Sequence, residues 1–126
     1  MKKKVLLYNF SGERLNGVKR SLIPIKAVAQ EVDKALYGEK LGYLLEVEGY
    51  TASGAAAENF DEELLVMSGF DGGDIDELIR SLRKYGVGRV ALKAIVTGTN
   101  IDWSSSELYY AVKADHEEMQ KRRSGR

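Results

Sequence analysis

The chain is predicted to be an α/β protein in which two strand-helix-strand units share one four-stranded sheet. Three observations predict it. Residues 5–10 and 64–67 are apolar at consecutive positions, as in strands covered on both faces. Each run is followed by a polar turn and then by apolar residues spaced three and four apart, the period of a helix lying on a sheet. Each helical stretch ends at a breaker, Pro24 in the first half and Gly86 in the second, and an extended run follows.

The first unit covers residues 4–29. Ser11 stands as the helix N-cap, and Leu15, Val18 and Leu22 form the apolar stripe, weakened by Gly17. After Pro24, residues 25–29 read as a short strand with Ile25, Ala27 and Ala29 on one face and Lys26 on the other. The connector, residues 30–61, is irregular. Leu41, Leu44 and Leu45 give helical spacing within residues 39–47, behind a turn carrying Val32 and Leu36, with Gly38 between them. Residues 50–60 are small with aromatic ends; a structureless stretch of that length is either a mobile connector or an ordered binding loop.

The second unit covers residues 62–97. Following the strand 64–67 and a glycine-rich loop, Asp74 caps a helix with Glu77 at the capping-box position. Ile75, Leu78, Ile79, Leu82 and Tyr85 then make the cleanest apolar stripe in the chain. Residues 90–96 form the last strand, interrupted only by Lys93. The second half thus repeats the first in pattern more than in identity. A final helix over residues 104–120 is signalled twice, by the Ser104 and Glu107 capping box and by Trp103 and Leu108 at the flanking positions of a hydrophobic staple. Two such units fit a ferredoxin-like sheet with an inserted connector and an added C-terminal helix, an α+β sandwich. A doubly wound parallel sheet is the alternative.

At 126 residues and 44% hydrophobic content the chain has the size of a single domain, residues 1–126. Lys plus Arg and Asp plus Glu balance at 19 each, which removes any bulk attraction to nucleic acid or anionic membrane. The absence of cysteine removes disulfides, thiolate nucleophiles and Cys-ligated zinc together. The one histidine, His116, lies beside the apolar stripe of the last helix without a second ligand at metalloprotease spacing, and no G-x-S-x-G elbow exists. No metal and no cofactor are therefore expected. The apolar run after Lys2-Lys3-Lys4 is too short for a secretory signal, and no segment approaches the roughly 20 apolar residues of a membrane span. A cytoplasmic protein without membrane or nucleic-acid partners is expected.

Two stretches carry candidate site residues. The better one gathers Lys93, Thr97, Gly98, Thr99, Asn100 and Trp103, a cation, two hydroxyls, an amide and an indole at the end of a strand, where α/β sheets tend to bind ligands. The weaker one is the loop of Ser68, Gly69, Asp71 and Asp74, a glycine-rich entry to a helix whose two aspartates would repel an anion and leave only a thin case for a cation. Local rules also explain both sets: turn formers, a staple and an N-cap.

Residues 64–108, above all LLVMSGF and DELIRSLRKYGVGRVALKAIVTGTNIDW, resemble the bacterial domain-of-unknown-function family 3783. That resemblance implies a small bacterial domain and brings neither an assigned reaction nor catalytic residues. The plan of strand-helix-strand, long loop, strand-helix-strand looks, in architecture alone, like the nitrogen-regulatory PII sensors, ferredoxin-like trimers that bind nucleotide beside a mobile central loop. The function expected is a non-catalytic ligand-binding or regulatory module that meets a small molecule or protein at the turn of residues 97–103. An oligomerisation or protein-interaction domain, with a homo-oligomer covering the apolar sheet faces, is the alternative, and an enzyme of unknown reaction comes third.

Overall fold

A computed structural model describes residues 2–56 and 58–124. Its sheet carries β1 (Lys4–Tyr8), β2 (Val28–Glu31), β3 (Leu64–Ser68) and β4 (Lys93–Ile95) in the order β2-β1-β3-β4. β1 pairs in parallel with β2, β3 in parallel with β4, and β1 antiparallel with β3. The mixed α/β architecture and the two strand-helix-strand units are therefore present. The strand order is a correction: in the ferredoxin-like arrangement the strands of each unit are split by a strand of the other, whereas here they are neighbours. The antiparallel centre departs equally from a doubly wound parallel sheet. The long connector between β2 and β3 imposes no hairpin between those two strands, so each unit closes on itself and the apolar β1 and β3 meet in the middle.

The two halves are related by a pseudo-twofold axis normal to the sheet. Its marks are in the backbone: Asn9 and Gly69 have φ of 65° and 78°, and Lys26 and Gly86 have φ of 61° and 79°, each pair 60 residues apart. Such an axis leaves each sheet face in place, so crossovers of one hand put both helices on the same side. α1 (Gly12–Leu22) and α3 (Gly72–Lys84) accordingly pack against each other there, over Val5, Leu7, Leu65 and Met67. At their contact, Ser81 Oγ donates to the Ser21 carbonyl at 2.8 Å and Ser21 Oγ donates to the Gly17 carbonyl at 2.7 Å, so both buried hydroxyls are satisfied. On the other face of the same strands Leu6, Tyr8, Leu64 and Val66 are fully buried, as their doubly apolar pattern predicts.

Several boundaries differ from expectation. β1 covers Lys4–Tyr8 and not residues 5–10, because Asn9 turns with a φ of 65°, and helix forms only over Leu41–Leu44 of the expected 39–47. β2 begins at Val28 and not at residue 25, because Lys26 takes a left-handed turn and Ile25 plugs the core under α1. The cap of α3 lies three residues earlier than expected: Asp71, not Asp74, is the N-cap. Asp71 Oδ1 accepts the Asp74 N–H at 2.8 Å and Asp74 Oδ2 accepts the Asp71 N–H at 3.0 Å, a closed capping box. β4 keeps ladder pairing only over Lys93–Ile95 of the expected 90–96, although the Leu92 carbonyl and the Val96 N–H still bond to β3.

The chain clusters into two compact units, Met1–Val32 with Glu62–Val96, which is the sheet and its two helices, and Asp33–Asp61 with Thr97–Arg126. The second unit contains a 3-10 turn at Lys34–Leu36, the short α2 (Leu41–Leu44), a 3-10 turn at Asn100–Asp102 and α4 (Ser105–Ser124). α4 starts where the sequence signals it, with Ser104 N–H donating to Glu107 Oε1 at 2.9 Å and Glu107 N–H to Ser104 Oγ at 3.2 Å. Within this unit the rings of Tyr37, Phe60 and Tyr109 stack in series at 4.6 and 4.1 Å. Residues 51–56 have no regular structure, and they cross so close to Gly38 that a Cβ there would lie 2.0 Å from the Ala55 carbonyl oxygen. Gly38 separates the 3-10 turn from α2 because only glycine admits that crossing.

Candidate functional site

The turn of residues 97–103 is built by its own side chains. Asn100 is buried, and its Oδ1 accepts the Thr97 N–H at 2.8 Å; Thr97 Oγ1 in return accepts the N–H groups of Asn100 at 3.0 Å and Thr99 at 3.3 Å. Thr97, Gly98 and Thr99 are exposed and Trp103 is half-buried. The Trp103 carbonyl accepts the Leu41 N–H at 2.9 Å, and Ser104 bridges to Lys40, so the turn is laced to the start of α2. Lys93 belongs to the other unit, half-buried on β4.

That lacing creates a groove of about 560 Å³ lined by Lys40, Tyr50, Thr51, Ser53, Glu48 and Asp102, the last from the turn itself. A volume of that size suits a small molecule. Tyr50 lines it, with a ring so close to Gly42 that a Cβ would meet it at 2.5 Å and a hydroxyl that donates to Asp102 Oδ1. That hydrogen bond to a carboxylate pushes the Tyr50 phenol above its ordinary value, burial adding to it. The rim is held by Glu39. Its buried carboxylate accepts the Ser53 N–H at 2.8 Å, the Ser53 hydroxyl at 3.0 Å and the Gly54 N–H at 2.8 Å. The two backbone donors hold Glu39 below the usual carboxylate value. The groove therefore offers a cation, two carboxylates and hydroxyls on a surface whose loop is tethered by an internal charge.

The Ser68 to Asp74 loop is occupied by its own structure. Gly69 turns with positive φ where a Cβ would meet the Lys2 carbonyl oxygen at 2.8 Å, Asp71 and Asp74 close the capping box, and Lys3 Nζ pairs with Asp74 at 2.8 Å. The backbone N–H of Asp71 and then Lys3 hold Asp74 below its ordinary value, the charge state in which it serves the helix. His116 is half-buried on α4. Among the described residues no group of three or more His, Cys, Asp or Glu side chains is placed to hold a metal ion, and no helix is long and apolar enough to cross a membrane.

Glu39, Lys40 and Tyr50 were invisible as site residues in the sequence. Glu39 and Lys40 are adjacent, and Tyr50, further along, is brought to them by close approaches at Gly38 and Gly42, so the glycines of an otherwise irregular connector were the one signal available.

Fold and groove together define a mixed-sheet α/β protein with a polar groove in its second unit. Residues 63–119 match the model of the family described as Domain of unknown function (DUF3783), in agreement with the resemblance of the C-terminal half. No curated protein and no solved structure matches the chain.

Proposed function

We propose that the protein is a non-catalytic binding module that takes a small polar molecule in the groove lined by Lys40, Tyr50 and Asp102. The observation that carries this reading is the groove's composition, with Lys40, two carboxylates and three hydroxyl side chains lining about 560 Å³. The ligand this favours presents an anionic group to Lys40 and donors to Asp102 and Glu48. The turn of residues 97–103 contributes by positioning Asp102, and Asn100 by holding the turn.

Thermal-shift screening against nucleotides and common metabolites tests the reading. A true ligand at a hundredfold excess over its Kd stabilises by about 2.7 kcal/mol. The shift is expected to vanish in Lys40→Ala and to shrink in Tyr50→Phe. A stabilising compound whose effect survives both substitutions binds elsewhere and defeats the proposal. Exposed Ile23 and Val28, at the end of α1 and the start of edge strand β2, favour a second reading in which another protein or a second copy docks there. Light scattering that finds a monomer at high concentration removes self-association.

A further inference from the structure

We propose that the pocket beside the C-terminal end of α3 is an oxyanion site, in which Arg83, Arg89 and Lys93 bind a phosphate-type group. The pocket has a volume of about 150 Å³, and Ile79, Leu82 and Val90 line it beside the three cations. It lies wholly in the sheet-bearing unit and is separate from the groove at Tyr50.

Register puts Lys93 there. It pairs with Leu65 across the ladder, and paired residues share a sheet face, so its side chain rises on the side where Leu65 meets the helices. One of its three donors goes to the Val90 carbonyl. None of the three cations forms an ion pair with a carboxylate among the described residues. Lys93 and Arg89 repel each other at this cavity, Arg83 adds a third positive side chain to its lining, and an oxyanion is the ligand that turns that repulsion into attraction. The Lys93 ammonium carries the sign of this: burial and then the charge of Arg89 hold it below its ordinary value.

Each cation also has an ordinary explanation, Arg83 as a partner for the helix C-terminus and Lys93 as a guard on an edge strand. The other half of the molecule tests those explanations. It builds the same helix end and the same strand with Ile23 where Arg83 stands, 60 residues on, and with Ala29, the partner of Val5, where Lys93 is the partner of Leu65. Between the paired residues lie 24 steps of chain from Val5 to Ala29 and 28 from Leu65 to Lys93, so the second half carries four additional residues. Arg89 stands in that added return. The architecture closes without these charges, and their concentration on one copy of a repeated unit points to a ligand.

The experiment is an amide NMR titration of the full chain with inorganic phosphate, with chloride at matched ionic strength as control. A parallel titration uses glycerol 3-phosphate. Saturable shifts are expected at Gly88, Arg89 and Lys93, with the Lys93 side-chain pKa moving upward as phosphate is added. Affinity should fall about tenfold in Lys93→Met and in Arg89→Gln, each of which removes a charge-assisted contact, and should persist in Lys93→Arg. Arg89 is exposed, so its variant retains the fold if Lys93→Met does not. Tighter binding of glycerol 3-phosphate marks an esterified ligand and tighter binding of phosphate a free anion; either result supports the site. Shifts that grow linearly without saturating, shifts that chloride reproduces, or undiminished binding by Arg89→Gln overturn it.

Discussion

At the scale of single residues, the most consequential group is the Glu39 carboxylate. It is buried, and it spends its acceptor capacity on Ser53 and Gly54, within the stretch for which the sequence left mobile connector and ordered loop both open. An isosteric Glu39→Gln change replaces one acceptor oxygen by a donor that faces another donor, which leaves a backbone N–H unpaired. Hydrogen exchange at the Ser53 and Gly54 amides should then accelerate about tenfold, while exchange in β1 stays as it was. The same carboxylate gives the tether a pH dependence. Its folded-state pKa lies below the ordinary 4.5, so its stabilisation is fully present above that value and is lost as the pH falls through the lower folded-state value. An acid titration followed at the same two amides should show the rim loosening only below about pH 4.5. Loosening that begins near neutral pH would assign the tether to another group.

At the scale of elements, Gly17 shows where the sequence was legible and where it was not. Its position in an amphipathic helix reads as a weakness, because glycine costs about 1 kcal/mol relative to alanine in a helix interior. In the folded chain it is the point of close approach: a Cβ would lie 2.6 Å from Val87 Cγ2 and 3.3 Å from the Tyr85 carbonyl oxygen. Gly17→Ala should therefore destabilise by about 1–2 kcal/mol in denaturant melts despite the gain in helix propensity. Pairing it with Val87→Ala should cost less than the two single changes summed, and strict additivity would refute the close-approach account. Features fixed by neighbours in the chain were readable: the Ser104 and Glu107 box, the Gly86 stop, the doubly apolar β1 and β3. Features fixed by partners far along the chain were not. The start of β2 depends on pairing with β1, and the Tyr50 groove depends on Asp102, 52 residues on, meeting the Tyr50 hydroxyl. Strand order falls in the same class, since nothing in either half encodes which edge of β1 the other half will join. The choice of Asp71 over Asp74 was hidden for a local reason, two competent caps three residues apart. Of the candidate site, the turn of residues 97–103 was readable as a turn; the groove that borrows Asp102 from it was not.

At the scale of the whole molecule, the two compact units are held together internally by different means, and that difference should be visible as a difference in stability. The sheet-bearing unit has ladder hydrogen bonds along β1 on both sides and side chains buried on both faces of β1 and β3. Its central amides are shielded until most of that core is exposed. Apart from α4, the second unit has a four-residue helix, two 3-10 turns and an irregular strip, fastened by the Tyr37, Phe60 and Tyr109 stack and by single side-chain tethers such as Glu39 and the Ser106 hydroxyl on the Glu58 carbonyl at 2.5 Å. Few ladder bonds and the short elements of residues 33–61 place that segment toward the low end of local opening free energies. Native-state hydrogen exchange in increasing denaturant should therefore resolve two classes. The amides of Leu6, Leu65 and Val66 should open only with global unfolding, and those of Leu44, Leu45 and Tyr50 should open at least about 1–2 kcal/mol sooner. Substituting Phe60 by Leu, which removes the middle ring of the stack, should lower the second class by about 1 kcal/mol and leave the first nearly unchanged. If all these amides merge into one isotherm, and Phe60→Leu lowers that isotherm as a whole, the units unfold as one and the groove is as rigid as the sheet. If they separate, the groove lies on the part of the molecule most free to adjust around a ligand, and binding there should raise the second class toward the first.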